Sequence, residues 1–201
     1  MKLAERFSAN IFSFPPARID PEPFPHLAIA DFVSESVAGR LLDWFESEAP
    51  WSSCNIAGFG SYNELNLRTA DLPAALNVLR DDESMARITA ALEGTFGAKV
   101  NSYIDIIAHK LLANDTVGVH TDNDGMLTHR LILHVHRGWT PQHGGELVFH
   151  ESAGGTFPPA RTFPPRHRAA LAFEISQLSF HSIRRVNMGE RYTLVYGFFR
   201  P

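Results

Sequence analysis

A single cysteine, Cys54, stands in a chain of 201 residues, so no disulfide can form within it and no thiolate-based zinc site can be assembled. Long apolar runs are missing as well, which leaves no candidate for a membrane-spanning helix. The first residues lack the uninterrupted apolar stretch of a signal peptide, because Glu5 and Arg6 interrupt it and Pro15 and Pro16 follow soon after. A reducing cytoplasm is the expected setting, with neither export nor membrane insertion. Basic charge is also short: Lys and Arg total 18 against 22 for Asp and Glu, a net charge of −4. That balance speaks against a broad electrostatic footprint for nucleic acid or anionic lipid. The local group Arg161, Arg166, Arg168, Arg184 and Arg185 reads as charge gathered at loops and strand ends. There is no internal repeat and no Gly-x-Ser-x-Gly turn, so a solenoid and a serine hydrolase of the nucleophile-elbow type are both set aside. His134 and His136 form a His-x-His pair, but Thr140 and Pro141 follow where a cupin-type metal site needs a glutamate. These two read instead as core or cleft residues.

What is present belongs to an ordinary globular domain, with 44% hydrophobic and 20% charged residues. The length suits one domain, 1–201, with a substantial core. Pro15, Pro16, Pro21, Pro23 and Pro25 cannot donate backbone hydrogen bonds and predict an extended strap. His26 to Phe32 reads as a short strand. Ser34 then caps a helix with Val37, Leu41, Leu42, Trp44 and Phe45 on one face, ending before Pro50. Ser52 to Asn66 reads as irregular, and further helices begin at Asp71 with Pro73 and at Asp82, the second burying Met85, Ile88, Leu92 and Phe96 before Gly97. From Val100 the hydrophobic period becomes two. Strand-like runs cover Val100 to Leu112, Val117 to His120, His129 to Trp139, Glu146 to Phe149, Ala169 to Ile175, Phe180 to Val186 and Arg191 to Phe199. Glu151 to His167, rich in Gly and Pro, reads as a loop at one end. The expected class is α+β, mainly β: a strap and supporting helices over 1–99, and a sandwich or barrel core over 100–201.

Seven of the ten histidines fall between His109 and His150. Clustering alone decides little, so the question is which can face one centre. His120 and Asp122 are two apart, and on an extended chain that spacing puts both side chains on one face. His181 supplies a third ligand from a separate strand. Two imidazoles and a carboxylate on one face of a six-coordinate ion leave three positions open, the arrangement used by Fe(II) oxygenases. Ten residues past His181 comes Arg191, sharing a strand face with Thr193. A guanidinium with a neighbouring hydroxyl can clamp the carboxylate of a small diacid.

The segments Gly118-Val119-His120-Thr121-Asp122-Asn123-Asp124, His129-Arg130-Leu131, Gly144-Gly145-Glu146-Leu147-Val148-Phe149, Phe180-His181-Ser182-Ile183 and Gly189-Glu190-Arg191-Tyr192-Thr193 carry a resemblance. Together they resemble the prolyl-4-hydroxylase-like branch of the Fe(II)/2-oxoglutarate-dependent dioxygenases, over about Tyr103 to Phe199. The resemblance implies a double-stranded β-helix, or jelly-roll barrel, with iron on His120, Asp122 and His181 and the far carboxylate of 2-oxoglutarate on Arg191. It further implies O2 as co-reactant and hydroxylation, with release of succinate and CO2, of an amino-acid side chain, free or in a peptide or protein. Asp122 stands where a halogenating relative would carry a small residue. Gly197 stands where a nucleic-acid-repair relative would carry a second arginine, so no nucleic-acid substrate is expected. One departure is Leu111, nine residues before the first ligand, where many members have a tyrosine that holds the cosubstrate; Tyr103, His109 and Thr193 are the candidates to replace it. Phe59, Tyr62, Asn123, Trp139 and the loop after Glu151 are expected to line the substrate pocket. The alternative is a non-catalytic jelly-roll protein that binds metal or 2-oxoglutarate as a sensor.

Overall fold

A computed structural model of the chain describes residues 11–15 and 18–201, so the expected strap lies partly outside the described residues. Glu35–Ser47 forms the first helix, α1, and buries Val37, Leu41, Leu42, Trp44 and Phe45 as its apolar spacing requires. The second, α2, spans Asp82–Phe96. Its N-cap Asp81 accepts a hydrogen bond from the Ser84 N–H at 2.8 Å, and Gly97 ends it in the left-handed region at φ +66°. The helix expected from Asp71 is shorter, a 3-10 segment over Ala74–Leu79 that starts after Pro73.

Among the described residues there are eleven strands. They are β1 (His26–Ile29), β2 (Ser52–Ile56), β3 (Gly60–Asn66), β4 (Ile104–Leu111), β5 (Val117–His120), β6 (Leu127–Val135), β7 (Leu147–His150), β8 (Pro159–Phe163), β9 (Ala170–Glu174), β10 (His181–Ile183) and β11 (Arg191–Phe199). All seven runs expected after Val100 are strands. Two expectations are corrected. Ser52 to Asn66 is an antiparallel hairpin, β2 with β3, and the loop after Glu151 contains β8, paired antiparallel with β7. Both β2 and β8 are largely exposed, so neither needs the apolar alternation that marks a half-buried strand; backbone hydrogen bonds to β3 and β7 pair them.

The strands pair in the order β1-β9-β6-β11-β4-β3-β5-β10-β7-β8, with β2 added on β3. Every strand pairing is antiparallel among the described residues, and the sheet curls on itself, the jelly-roll arrangement. Its two end strands meet through side chains: His26 on β1 lies edge-on to Phe163 of β8 at 5.4 Å and to Phe149 of β7 at 5.3 Å. Arg161 of β8 also bonds Asp20 at 2.7 Å.

Alternation along β11 divides the core. Tyr192, Leu194, Tyr196 and Phe198 pack outward with Leu41, Phe45, Ile88 and Leu92 of the helices, while Val195 belongs to a second cluster with Ile132, Leu147, Phe149, Leu171 and Phe173 inside the barrel. Arg191 and Thr193 share the inner face with Val195. Among the described residues no helix is long and apolar enough to cross a membrane.

Candidate active site

At the open end of the barrel, β5 and β10 run antiparallel with His120 directly opposite His181. Their rings lie 4.2 Å apart. Each Nδ1 faces a carbonyl, Gly118 O at 2.9 Å for His120 and Ser179 O at 2.8 Å for His181. A carbonyl can only accept, so each Nδ1 carries the hydrogen and each Nε2 keeps its lone pair. Both Nε2 atoms face Asp122, at 3.4 Å from Oδ1 for His120 and 3.7 Å from Oδ2 for His181.

The route by which Asp122 arrives differs from the expectation. β5 ends at His120, and Asp122 follows in the left-handed region at φ +56°, so the turn beyond the strand, not strand alternation, swings the carboxylate back to the imidazoles. Aspartate tolerates that backbone better than most residues. The ligand atoms of the three residues all lie within 4.8 Å of one another.

Arg130 completes the centre, its Nε–H donating to Asp122 Oδ2 at 3.0 Å. Burial alone would raise the Asp122 carboxyl, but the His120 contact and the charge of Arg130 outweigh it and hold the group well below the usual carboxylate range. For His181, burial and the neighbouring His120 lower the imidazole to about 4 despite Asp122. The centre thus turns the Nε2 atoms of two imidazoles and a carboxylate toward one point. Three electron-pair donors so placed repel one another unless a cation lies between them, and this mixed N,N,O set suits Fe(II).

Next to this centre is a cavity of about 270 Å³, lined by Phe59, Tyr62, His109, Leu111, Arg191 and Thr193 among others, and by all three residues of the cluster. Arg191 is 2% exposed. Its Nε–H donates to Gly145 O at 2.7 Å, while Nη1 and Nη2 are buried without a partner. Gly145, at φ +72°, lets the side chain through: a Cβ there would lie 3.0 Å from Arg191 Cδ. Trp139 Nε1–H fixes the same turn by donating to Gly144 O at 2.9 Å. Burial lowers the guanidinium to about 10 against the pull of Glu146, and it stays charged at neutral pH. A buried cation in the lining of a cavity, with two nitrogens left unpaired, fits the distal carboxylate of a small diacid.

The remaining expected residues divide. Thr193, Phe59 and Tyr62 line the cavity; Asn123 borders an open outer cleft with Asp105 and Asp124. Tyr103 is corrected: it sits half-exposed just before β4, against Phe199 at 5.8 Å, about a strand's length from Leu111. His109 does reach the cavity, and burial with the charges of Arg130 and Arg191 lowers it to about 4. Arg130 was not singled out from the sequence, although it shares the inward parity of β6 with Ile132.

Residues 107–200 match the family model described as the 2OG-Fe(II) oxygenase superfamily. This part of the chain is similar to that superfamily of 2-oxoglutarate-dependent oxidoreductases, whose members work with Fe(II), 2-oxoglutarate and O2. Among solved structures, the chain is similar to a prolyl-4-hydroxylase from Pseudomonas putida, at 14% identity and TM-score 0.68 over 88% of this chain and 92% of that one. A prolyl hydroxylase from Trichoplax adhaerens, solved with a hypoxia inducible factor oxygen degradation domain peptide fragment, gives 11% identity and TM-score 0.64 over 87% and 83%. The viral collagen prolyl hydroxylase of Paramecium Bursaria Chlorella virus-1, in a 2OG complex, gives 14% and 0.63 over 88% and 96%. Comparison with curated proteins returns no match. At these identities the structural likeness establishes the jelly-roll fold of this chain.

Proposed function

We propose that His120, Asp122 and His181 hold Fe(II), that Arg191 and Thr193 hold the distal carboxylate of 2-oxoglutarate, and that the chain hydroxylates a C–H bond of an amino-acid side chain, free or within a peptide. The balance is substrate C–H, 2-oxoglutarate and O2 to substrate C–OH, succinate and CO2. One observation carries the reading: Arg191, a buried cation with two unpartnered nitrogens, is part of the lining of the cavity that the His/Asp/His cluster borders. The iron, when bound, supplies the means to activate O2 with electrons from the cosubstrate.

The chain's own residues set the stage for that chemistry. Gly118 and Ser179 fix the imidazole tautomers through their carbonyls, so both Nε2 lone pairs are available. Arg130 occupies Asp122 Oδ2 and leaves Oδ1 for a metal ion. Phe59, edge-on to His120 at 4.8 Å, screens one side of the centre from water. The amino-acid or peptide substrate is supported by the prolyl hydroxylases among the similar structures, one of which was solved with a peptide. The packing of α1 and α2 on the sheet supports one domain, 1–201, in which residues 1–99 brace the core. The single cysteine supports a cytoplasmic setting.

Succinate release measured with Fe(II), 2-oxoglutarate and a panel of amino acids and peptides tests the proposal. Substrate-stimulated, O2-dependent succinate is the expected outcome. His120→Ala removes it, and Arg191→Ala raises the 2-oxoglutarate concentration needed by about a hundredfold. If the wild type binds 2-oxoglutarate but releases no succinate with any substrate or alone, the protein is a binding module and not an enzyme.

A further inference from the structure

This inference rests on the proposed reading and narrows its substrate: with 2-oxoglutarate in the inner cavity, the substrate reaches the metal centre from another side. A second hollow, an open cleft of about 560 Å³, offers that approach, since His120, Asp122 and Arg130 line both it and the inner cavity. Gly197, toward the other end of β11 from Arg191, shapes the cleft. It lies directly opposite Asp105 on β4 and Arg130 on β6. A Cβ there would meet Arg130 Nη1 at 2.7 Å, Leu127 Cδ1 at 3.1 Å and Asp105 Cβ at 3.5 Å. A base, an apolar group and an acid thus converge on a spot that has no side chain of its own.

The three carboxylates of the cleft are unequally engaged. Asp122 Oδ2 accepts from Arg130 Nε–H at 3.0 Å, which sets the one guanidinium of the cleft against the metal-site carboxylate. Asp124 Oδ1 accepts the backbone N–H of Met126 at 2.8 Å and of Leu127 at 2.9 Å, and so holds its own turn. Asp105 has no hydrogen bond or ion pair among the described residues, and it is only part-buried. Beside it, Leu127 and Phe199 supply an apolar wall for carbon chains. An uncommitted carboxylate at the approach to a reaction centre favours a ligand of positive charge and rejects its neutral analogue. We propose that Asp105 is a specificity-determining residue that receives a primary ammonium of the substrate, so that a free α-amino acid or a lysine side chain is oxidised and a neutral side chain within a peptide is not. An ammonium, compact and with three donors, suits a hollow left by one missing side chain better than a planar guanidinium does.

Proton relaxation of added ligands tests this without turnover, in protein loaded with Mn(II) and 2-oxoglutarate and kept free of O2, because the paramagnetic ion broadens only protons held near it. The common amino acids are compared, each as the free amino acid and as its Nα-acetyl methylamide. Broadening is expected for free amino acids, which places the α-ammonium on Asp105, or for blocked lysine, which places the side-chain ammonium there. Blocked neutral compounds broadened as strongly as these, or no compound broadened at all, overturn the proposal. Asp105→Asn is expected to weaken the broadened ligand about tenfold while calorimetry shows 2-oxoglutarate binding retained, and Asp105→Glu, which keeps the charge, to lose less. An Asp105→Asn protein that holds the ammonium ligand as tightly as the wild type overturns it too; should that variant not fold, the wild-type comparison decides alone. A wild type that does not bind 2-oxoglutarate refutes the oxygenase reading and this inference with it, whereas one that binds 2-oxoglutarate without preferring ammonium ligands refutes the inference alone.

Discussion

Arg130 connects two features that the sequence left separate. Its guanidinium holds Asp122, and the same group fills the space beside Gly197, where a Cβ would lie 2.7 Å from Arg130 Nη1. Gly197 drew notice as the lack of a second arginine on β11. In the fold, the lack of a side chain there makes room for an arginine from β6. Groups that orient metal ligands commonly affect affinity by one to two orders of magnitude, so Arg130→Ala is expected to weaken Mn(II) binding about ten- to hundredfold. An unchanged Mn(II) affinity, read by electron paramagnetic resonance of the free ion, would show that Asp122 needs no such support. The three cluster residues and Arg191 were legible because their chemical types are rare together and their spacing is fixed by the chain. The geometric reason was only half legible: nothing in His120-Thr121-Asp122 announces that the aspartate arrives through a left-handed turn. Arg130 stayed hidden because its partner is eight residues away around that turn.

At the scale of elements, the strands that were legible are those with one face in a core. β11 alternates between a helix-packed apolar row and an inner row that begins with Arg191 and Thr193, and its bounds, Arg191–Phe199, match the expectation. β2 and β8 were not legible, since exposed strands carry no apolar period and their sequences, Ser-Ser-Cys-Asn-Ile and Pro-Ala-Arg-Thr-Phe, resemble loops. Tyr103 was misplaced for a related reason: parity along a run reveals which face a residue takes, but not how far along the barrel the strand begins. β7 joins the two concerns of stability and site. Phe149 is fully buried and lies directly opposite His181 of β10. Phe149→Ala is expected to destabilise the fold by about 3–5 kcal/mol through the cavity it leaves, measured by urea unfolding. Weaker metal binding should accompany the loss, because the strand beneath His181 is no longer packed. A destabilisation below about 1 kcal/mol would mean that the aromatic cluster of Phe24, Phe149, Phe163 and Phe173 refills the space.

For the whole molecule, the buried histidines make stability depend on pH. Burial lowers His129, packed on Phe96 of α2 at 4.9 Å, to about 4, and it lowers His134 far below its ordinary value. In the unfolded chain both return to about 6.5. Between those values the unfolded state binds protons that the folded state refuses, so unfolding becomes easier as pH falls. The contribution is therefore complete above about pH 6.5 and is lost progressively toward pH 4, at up to roughly 1.4 kcal/mol per pH unit for each such histidine. Urea unfolding of the metal-free protein at pH 7 and at pH 5 is expected to show a lower midpoint at pH 5, and His129→Gln to reduce the difference. Equal midpoints would show that these imidazoles accept protons inside the fold.

Among the described residues, the two end strands of the curled sheet touch through rings, beside an Arg161–Asp20 ion pair, with no ladder between them. A shell joined along most of its circumference by backbone bonds, and along one line by side chains alone, has a built-in weakest line. Local opening is therefore easiest at β8, whose outer edge has no strand beside it, and hardest at β11, which is bonded on both sides. Amide deuterium exchange should run fast along Pro159–Phe163 and slow along Arg191–Phe199. The strand that carries Arg191 and Thr193 is thus the last to loosen, which keeps the carboxylate clamp in register while the rim beside it breathes.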